Sequence, residues 1–71
     1  MEHELSALQR ESIMRVKRSH NGILLMRRDD MRPRWGILQD LGFLHIYNSP
    51  KVRNYCCIKL TRYAKEHLKR Y

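Results

Sequence analysis

Pro33-Arg34-Trp35-Gly36-Ile37-Leu38-Gln39-Asp40-Leu41-Gly42 runs directly into Phe43-Leu44-His45-Ile46-Tyr47. A polar loop, Asn48 to Asn54, comes next, and the chain returns as Tyr55-Cys56-Cys57-Ile58-Lys59-Leu60. This stretch predicts a short helix stopped by a glycine, then a β-hairpin with a basic tip. Proline suits the first helical turn because its missing N–H has no partner there in any case. It also pushes Arg32 out of helical angles, which places the start at Pro33. The helix is expected to end at Leu41, with Gly42 as the left-handed cap. Ile37, Leu38 and Leu41 form its expected inward face, with Arg34 on the same side one turn earlier. Trp35, Gly36, Gln39 and Asp40 are expected to face away. Both flanks of the loop are rich in strand-forming residues. A hairpin centred on Lys51 sets Leu44 opposite Ile58, Ile46 opposite Cys56 and Tyr47 opposite Tyr55. His45 and Cys57 then point outward.

Working outward, His3 to Ser19 reads as an amphipathic helix with Leu5, Leu8, Ile13 and Val16 in one apolar sector. His20-Asn21-Gly22 stops it, because Asn and Gly tolerate the left-handed conformation. Ile23 to Arg28 fits a short buried helix capped by Asn21 or a short strand, and the helix is preferred. Asp29 and Asp30 are turn or N-cap residues for the helix that starts at Pro33. After the hairpin, Thr61 is a good N-cap for a final helix from Arg62 to Tyr71. Tyrosines recur at 47, 55, 63 and 71, but on different elements, so the spacing is no repeat.

The chain has 71 residues, enough for a single domain over 1–71. A domain of this size buries only ~60% of its unfolded surface, so its core is marginal. Apolar residues make up 42%, too many for a disordered tail. The net charge is +8 and the pI about 10.1. Residues 1–26 carry four basic and three acidic side chains, 27–58 six and three, and 59–71 five and one. The surplus lies in the last two-thirds of the chain and favours a polyanionic partner. The plainer alternative is charge that only aids solubility.

The opening Met-Glu-His-Glu-Leu is acidic and does not read as a secretory signal. Ile23 to Met26 is the longest apolar run and is too short to span a bilayer. The basic residues do not share one long amphipathic helix, so no membrane partner is expected. Cys56 and Cys57 are adjacent in a strand and point to opposite faces, which excludes an unstrained bond between them. One reads as a buried small side chain and the other as an outward thiol, in a reducing compartment such as the cytoplasm. His3, His20, His45 and His67 offer no ligand pair at zinc spacing, so neither metal nor cofactor is expected. No nucleophile–base set, phosphate-cradling glycine loop or carboxylate pair is present, and enzyme activity is not expected.

Ile37-Leu38-Gln39-Asp40-Leu41-Gly42-Phe43-Leu44, the basic loop residues Lys51 and Arg53, and Ile58-Lys59-Leu60-Thr61 carry a resemblance. In element order the chain resembles the winged helix-turn-helix family. Locally it is similar to the recognition-helix-and-wing half of MarR-like regulators. The resemblance covers about half the chain well. It implies an α+β fold: a small winged helix-turn-helix, three helices followed by a β-hairpin wing and a C-terminal helix. It also implies duplex DNA binding by a transcriptional regulator or recombination accessory factor.

On that reading the 33–41 helix enters the major groove and the 48–54 wing meets the backbone or minor groove. Arg32, Arg34, Trp35 and Gln39 are the groove candidates. Arg28, Lys51 and Arg53 would contact phosphates, with Asn54 at the end of the wing. Other readings stay open. Trp35 can pack as core. Arg32 and Arg34 can pair with Asp29 and Asp30. Asp40 would repel phosphates in a deep groove. RNA could replace DNA, and a homodimer or protein partner is equally open. In the alternative function the winged helix is a protein-interaction module, an inhibitor or adaptor of a mobile element, without DNA readout.

Overall fold

A computed structural model describes residues 5–68. Its first helix, α1 (Ala7–Lys17), opens on a capping box. The Ser6 hydroxyl accepts from the Gln9 N–H at 3.1 Å, and Gln9 Oε1 accepts from the Ser6 N–H at 2.9 Å. These bonds satisfy two donors that the helix itself cannot, so the helix starts at Ala7 rather than His3. His3 lies outside the described residues. Leu5 is buried just ahead of the cap, and Ile13 and Val16 are buried within the helix. Leu8 departs from the expected sector and is 55% exposed. Ser12 is buried instead, donating to the Leu8 carbonyl at 2.9 Å and accepting from Arg34 Nε at 3.1 Å.

Asn21 (φ 57°) and Gly22 (φ 72°) then turn the chain in left-handed conformations. The next element is a strand, β1 (Ile23–Arg27), and not the preferred short helix. Its partner is far along the sequence: Ile23 lies opposite Lys59 and Arg27 opposite Tyr55, antiparallel. Asp29 and Asp30 sit in a single 3-10 turn, Arg28–Asp30, and do not cap the next helix.

That helix, α2 (Pro33–Asp40), starts at the proline and ends before Gly42, whose φ of 88° closes it as expected. Its rotation differs from expectation. Trp35 is 1% exposed and Leu38 fully buried, whereas Ile37 is 48% exposed. With β1 in the sheet, a slot bounded by α1 and the sheet is left for one large side chain. Indole buries more apolar area than isoleucine, so Trp35 takes it. Trp35 Nε1 is buried and has no hydrogen-bond partner among the described residues. An unmade bond of that kind costs about 1–3 kcal/mol, which the buried ring area offsets.

The hairpin comprises β2 (Leu44–Asn48) and β3 (Tyr55–Leu60). Leu44 pairs with Leu60, Ile46 with Ile58 and Tyr47 with Cys57. This register is shifted by two residues on β3 from the one centred on Lys51. A two-residue shift preserves which face each side chain occupies, so the expected core residues still point inward. The cause lies in the loop. Ser49 Oγ accepts from the Lys51 and Val52 N–H groups at 3.3 and 3.1 Å, and Asn54 closes the turn at φ 64°. Cys57 does point to the outer face, but it is only 8% exposed. The sheet order is β1-β3-β2, and Cys57 is flanked by Leu25 and Tyr47 on the strands to either side.

Thr61 caps the last helix, α3 (Arg62–Leu68), by accepting from the Ala64 N–H at 3.1 Å. Its hydroxyl also donates to the Gly42 carbonyl, which ties α3 to the glycine stop after α2. Lys69 to Tyr71, expected to continue the helix, lie outside the described residues. The architecture is therefore α+β, with three α-helices and a three-stranded antiparallel sheet among the described residues. The second of the four expected helices is a strand. The core joins Ile13, Val16, Met26, Trp35, Leu38, Phe43, Leu44, Ile58 and Ala64.

The rotation of α2 is open to measurement. Trp35→Ala should destabilise the domain by about 3–5 kcal/mol, enough to unfold much of it. Ile37→Ala should stay within about 0.5 kcal/mol of the parent. Urea denaturation with far-UV circular dichroism reads both, and the reverse ranking would restore the rotation expected from the sequence.

Candidate nucleic-acid interface

Arg15 on α1, Arg27 at the end of β1, and Arg32 and Arg34 at the start of α2 line one open cleft of about 480 Å³. Leu25, Met26, Asp30, Trp35 and Tyr55 complete it. Its lining holds four arginines and one aspartate, a formal charge of +3. The position of each is set by the fold. Arg15 lies one turn beyond the buried Ser12, on the side of α1 that meets α2. Arg27 is carried in by the pairing of β1 with β3, opposite Tyr55. Arg32 is the N-cap of α2 and forms no side-chain capping bond.

Arg34 is the best held of the four. Its Nε donates to Ser12 Oγ at 3.1 Å, and its guanidinium carbon lies 5.5 Å from the Trp35 ring centroid. The contact with indole favours a cation there. Glu11 lines a smaller adjoining hollow that shares Arg15, Arg34 and Trp35. Among the described residues one ion pair forms, Arg62 with Glu66 at 3.6 Å on exposed α3. The pairing of Arg32 and Arg34 with Asp29 and Asp30 that the sequence allowed is thus not made.

The 48–54 loop stands beside Tyr55, at the same end of the molecule. The Arg28 N–H donates to the Asn54 carbonyl at 2.8 Å, and the Arg28 guanidinium donates to Asn48 Oδ1. Arg28 therefore clamps the base of this loop as well as carrying charge. Lys51 and Arg53 are exposed on the loop. Asn54 contributes through its left-handed backbone and its carbonyl.

Two expected groove residues are engaged elsewhere. Trp35 is core. Gln39 Oε1 accepts from the Ile46 N–H at 2.8 Å, which holds its side chain against β2. The exposed residues of α2 after Arg32 include Pro33, Gly36, Ile37 and Asp40, none of them basic. The cationic part of α2 is its beginning.

Sequence reasoning missed Arg15, Arg27 and Tyr55. The preference for a helix over Ile23 to Arg28 hides Arg27. Read as a strand, Leu24 and Met26 point inward and Arg27 falls on the other face. For Arg15 the available signal is Ser12, a small polar residue between apolar neighbours, which marks the face where a second helix can approach.

The outer sheet face is also free of acidic side chains, since none occurs in the three strands. There the His45 and Tyr47 rings stack with centroids 5.4 Å apart, and Lys59 Nζ lies 5.8 Å from the Tyr47 centroid. Desolvation against the sheet, and then the neighbouring Cys57 thiol, push the Tyr47 phenol above its ordinary value. The phenol is neutral at physiological pH. Among the described residues no group of three or more His, Cys, Asp or Glu is placed to hold a metal ion. None of the described helices is long and apolar enough to cross a membrane.

The double role of Arg28 has a measurable signature. Arg28→Ala should cost about 1 kcal/mol of stability, the usual worth of one side-chain hydrogen bond. It should also speed amide hydrogen exchange at the loop residues Lys51 to Asn54 while leaving β1 and β3 protected. Compared with known proteins, the chain matches no family model, no curated protein and no solved structure.

Proposed function

We propose that this protein is a small winged-helix protein that binds duplex DNA by gripping phosphates, as a regulatory or recombination accessory factor. The observation that carries the reading is the convergence of Arg15, Arg27, Arg32 and Arg34 on one cleft beside the Lys51–Arg53 wing. The element order α1-β1-α2-β2-β3-α3 and the sheet order β1-β3-β2 support a winged helix in which a strand stands where the second helix is expected. Arginine suits phosphate because its planar fork presents parallel donors and stays charged at any physiological pH. The binding is a grip on the backbone and carries little base readout. Trp35 and Gln39 are occupied within the fold, and Asp40 stands on the exposed side of α2. RNA helices present the same phosphates, and the duplex type is resolved by measurement.

A second reading has its own observation. The exposed face of α2 holds Ile37 next to Gly36, whose Cα has open space around it. That surface suits a protein partner better than a groove, and it supports the protein-interaction module.

Electrophoretic shift with random-sequence duplex separates the two readings. On a log–log plot affinity should fall with salt by about 0.9 per phosphate contacted. Replacing exposed Arg32, Lys51 and Arg53 together by alanine should lower that slope by about 2–3 without changing the circular dichroism. Absence of a shift at low salt, together with a protein partner lost on Ile37→Glu, would establish the module instead. An unchanged slope in the triple variant would place the DNA on another surface.

A further inference from the structure

We infer that the arginine cleft is a site for a phosphomonoester, the dianionic group found at a nucleic-acid terminus, rather than only for the diesters along a backbone. The inference rests on the phosphate-binding reading and specifies the ligand of its central cleft. An internal diester carries one negative charge and needs one or two cations to position it. Here Arg15, Arg27, Arg32 and Arg34 converge from three elements on one concavity, opposed there only by Asp30. Glu11 lines the adjoining hollow.

A convex or flat basic stripe would track a continuous backbone. An open cleft between α1, β1 and the start of α2 gathers four arginines at one place, which suits a compact, doubly charged group. The cleft is also built in part before any ligand arrives. Arg34 is held by Ser12, which is 4% exposed, and by the Trp35 ring. Its Nε is used in that bond, while its terminal nitrogens make no hydrogen bond to the described residues. Those donors remain for a ligand's oxygens. Tyr55 lines the cleft as the cross-strand neighbour of Arg27 and offers a ring for the first nucleotide.

Charge supplies a further expectation. A phosphomonoester loses its second proton near pH 6 and gains the charge that an arginine cluster rewards. Arginines do not titrate in that range. Preference for a phosphorylated end should therefore be present at about pH 7.5 and weaken on acidification to about pH 5.5, because the ligand loses charge while no described histidine lines the cleft.

The test compares the full chain on one duplex with 5′-phosphate, 3′-phosphate or hydroxyl ends, and on a closed circular duplex. Fluorescence competition with adenosine monophosphate and with inorganic phosphate runs beside it. A phosphorylated end should bind about tenfold tighter than a hydroxyl end, a typical gain for added charge-assisted hydrogen bonds. The variant Arg15→Ala/Arg27→Ala should abolish that preference, so that phosphorylated ends, hydroxyl ends and the circle are all bound alike, each more weakly than phosphorylated ends are bound by the parent. Both side chains are exposed and outside the core, so the fold should survive. Arg15→Lys/Arg27→Lys keeps the charge without the fork and should restore part of it.

Equal affinity for phosphorylated and hydroxyl ends would overturn the inference and leave duplex binding standing. Binding of adenosine monophosphate, lost in the alanine variant, with no binding to any duplex would uphold the phosphomonoester site and overturn the nucleic-acid reading. Binding to none of the ligands would overturn both.

Discussion

The ladder between β1 and β3 is the interaction on which the rest of the structure depends. An isolated two-stranded hairpin is marginal in water. With β1 added, Tyr55 to Leu60 becomes a central strand, and Ile58 has Leu24 on one side and Ile46 on the other. The same ladder covers Cys57 on the outer face and brings Met26 into the core below. It also sets where the chain must go next. A 3-10 turn and two further residues join β1 to α2, so the start of α2 cannot lie far from the end of the strand. Arg27, Arg32 and Arg34 are neighbours because that connection is short.

Features governed by nearby residues were legible in the sequence. Pro33 and Gly42 bound α2 because each imposes a backbone conformation on its own position. Thr61 caps α3 by a bond that reaches three residues. The inward and outward faces of the hairpin could be read from alternation alone. Features governed by distant partners were not legible. Ile23 to Arg27 has a composition that suits helix or strand, and β3, more than two dozen residues on, decides between them. The register depended on how Ser49 and Asn54 fold a loop whose length admits several closures. Trp35 and Ile37 compete for the same interior. The outcome turns on the size of a slot that exists only once α1 and β1 are in place.

The candidate site divides in the same way. That the chain is basic, and that the helix start and the loop carry the charge, could be read directly. That Arg15 joins them depends on the angle at which α1 meets α2, through Ser12 and Arg34. The reverse also holds for residues that looked exposed on a helical wheel. A wheel describes one helix in isolation, and α2 meets both the sheet and α1. Trp35 belongs to those contacts and is removed from any surface a ligand could reach, while Gln39 stays exposed with its side-chain oxygen engaged by β2.

Gln39 has a consequence for how copies of this protein coexist. β2 lies at the border of the sheet, and unpaired backbone donors on such a border can recruit a strand from another molecule. The Ile46 N–H sits at the middle of β2 and is already occupied by Gln39 Oε1. A strand arriving there would have to displace the glutamine and lift the end of α2 away from the sheet. The side chain that a base-reading helix would turn outward here makes strand addition along β2 compete with the docking of α2, and leaves β1, among the described residues, as the border without such a guard.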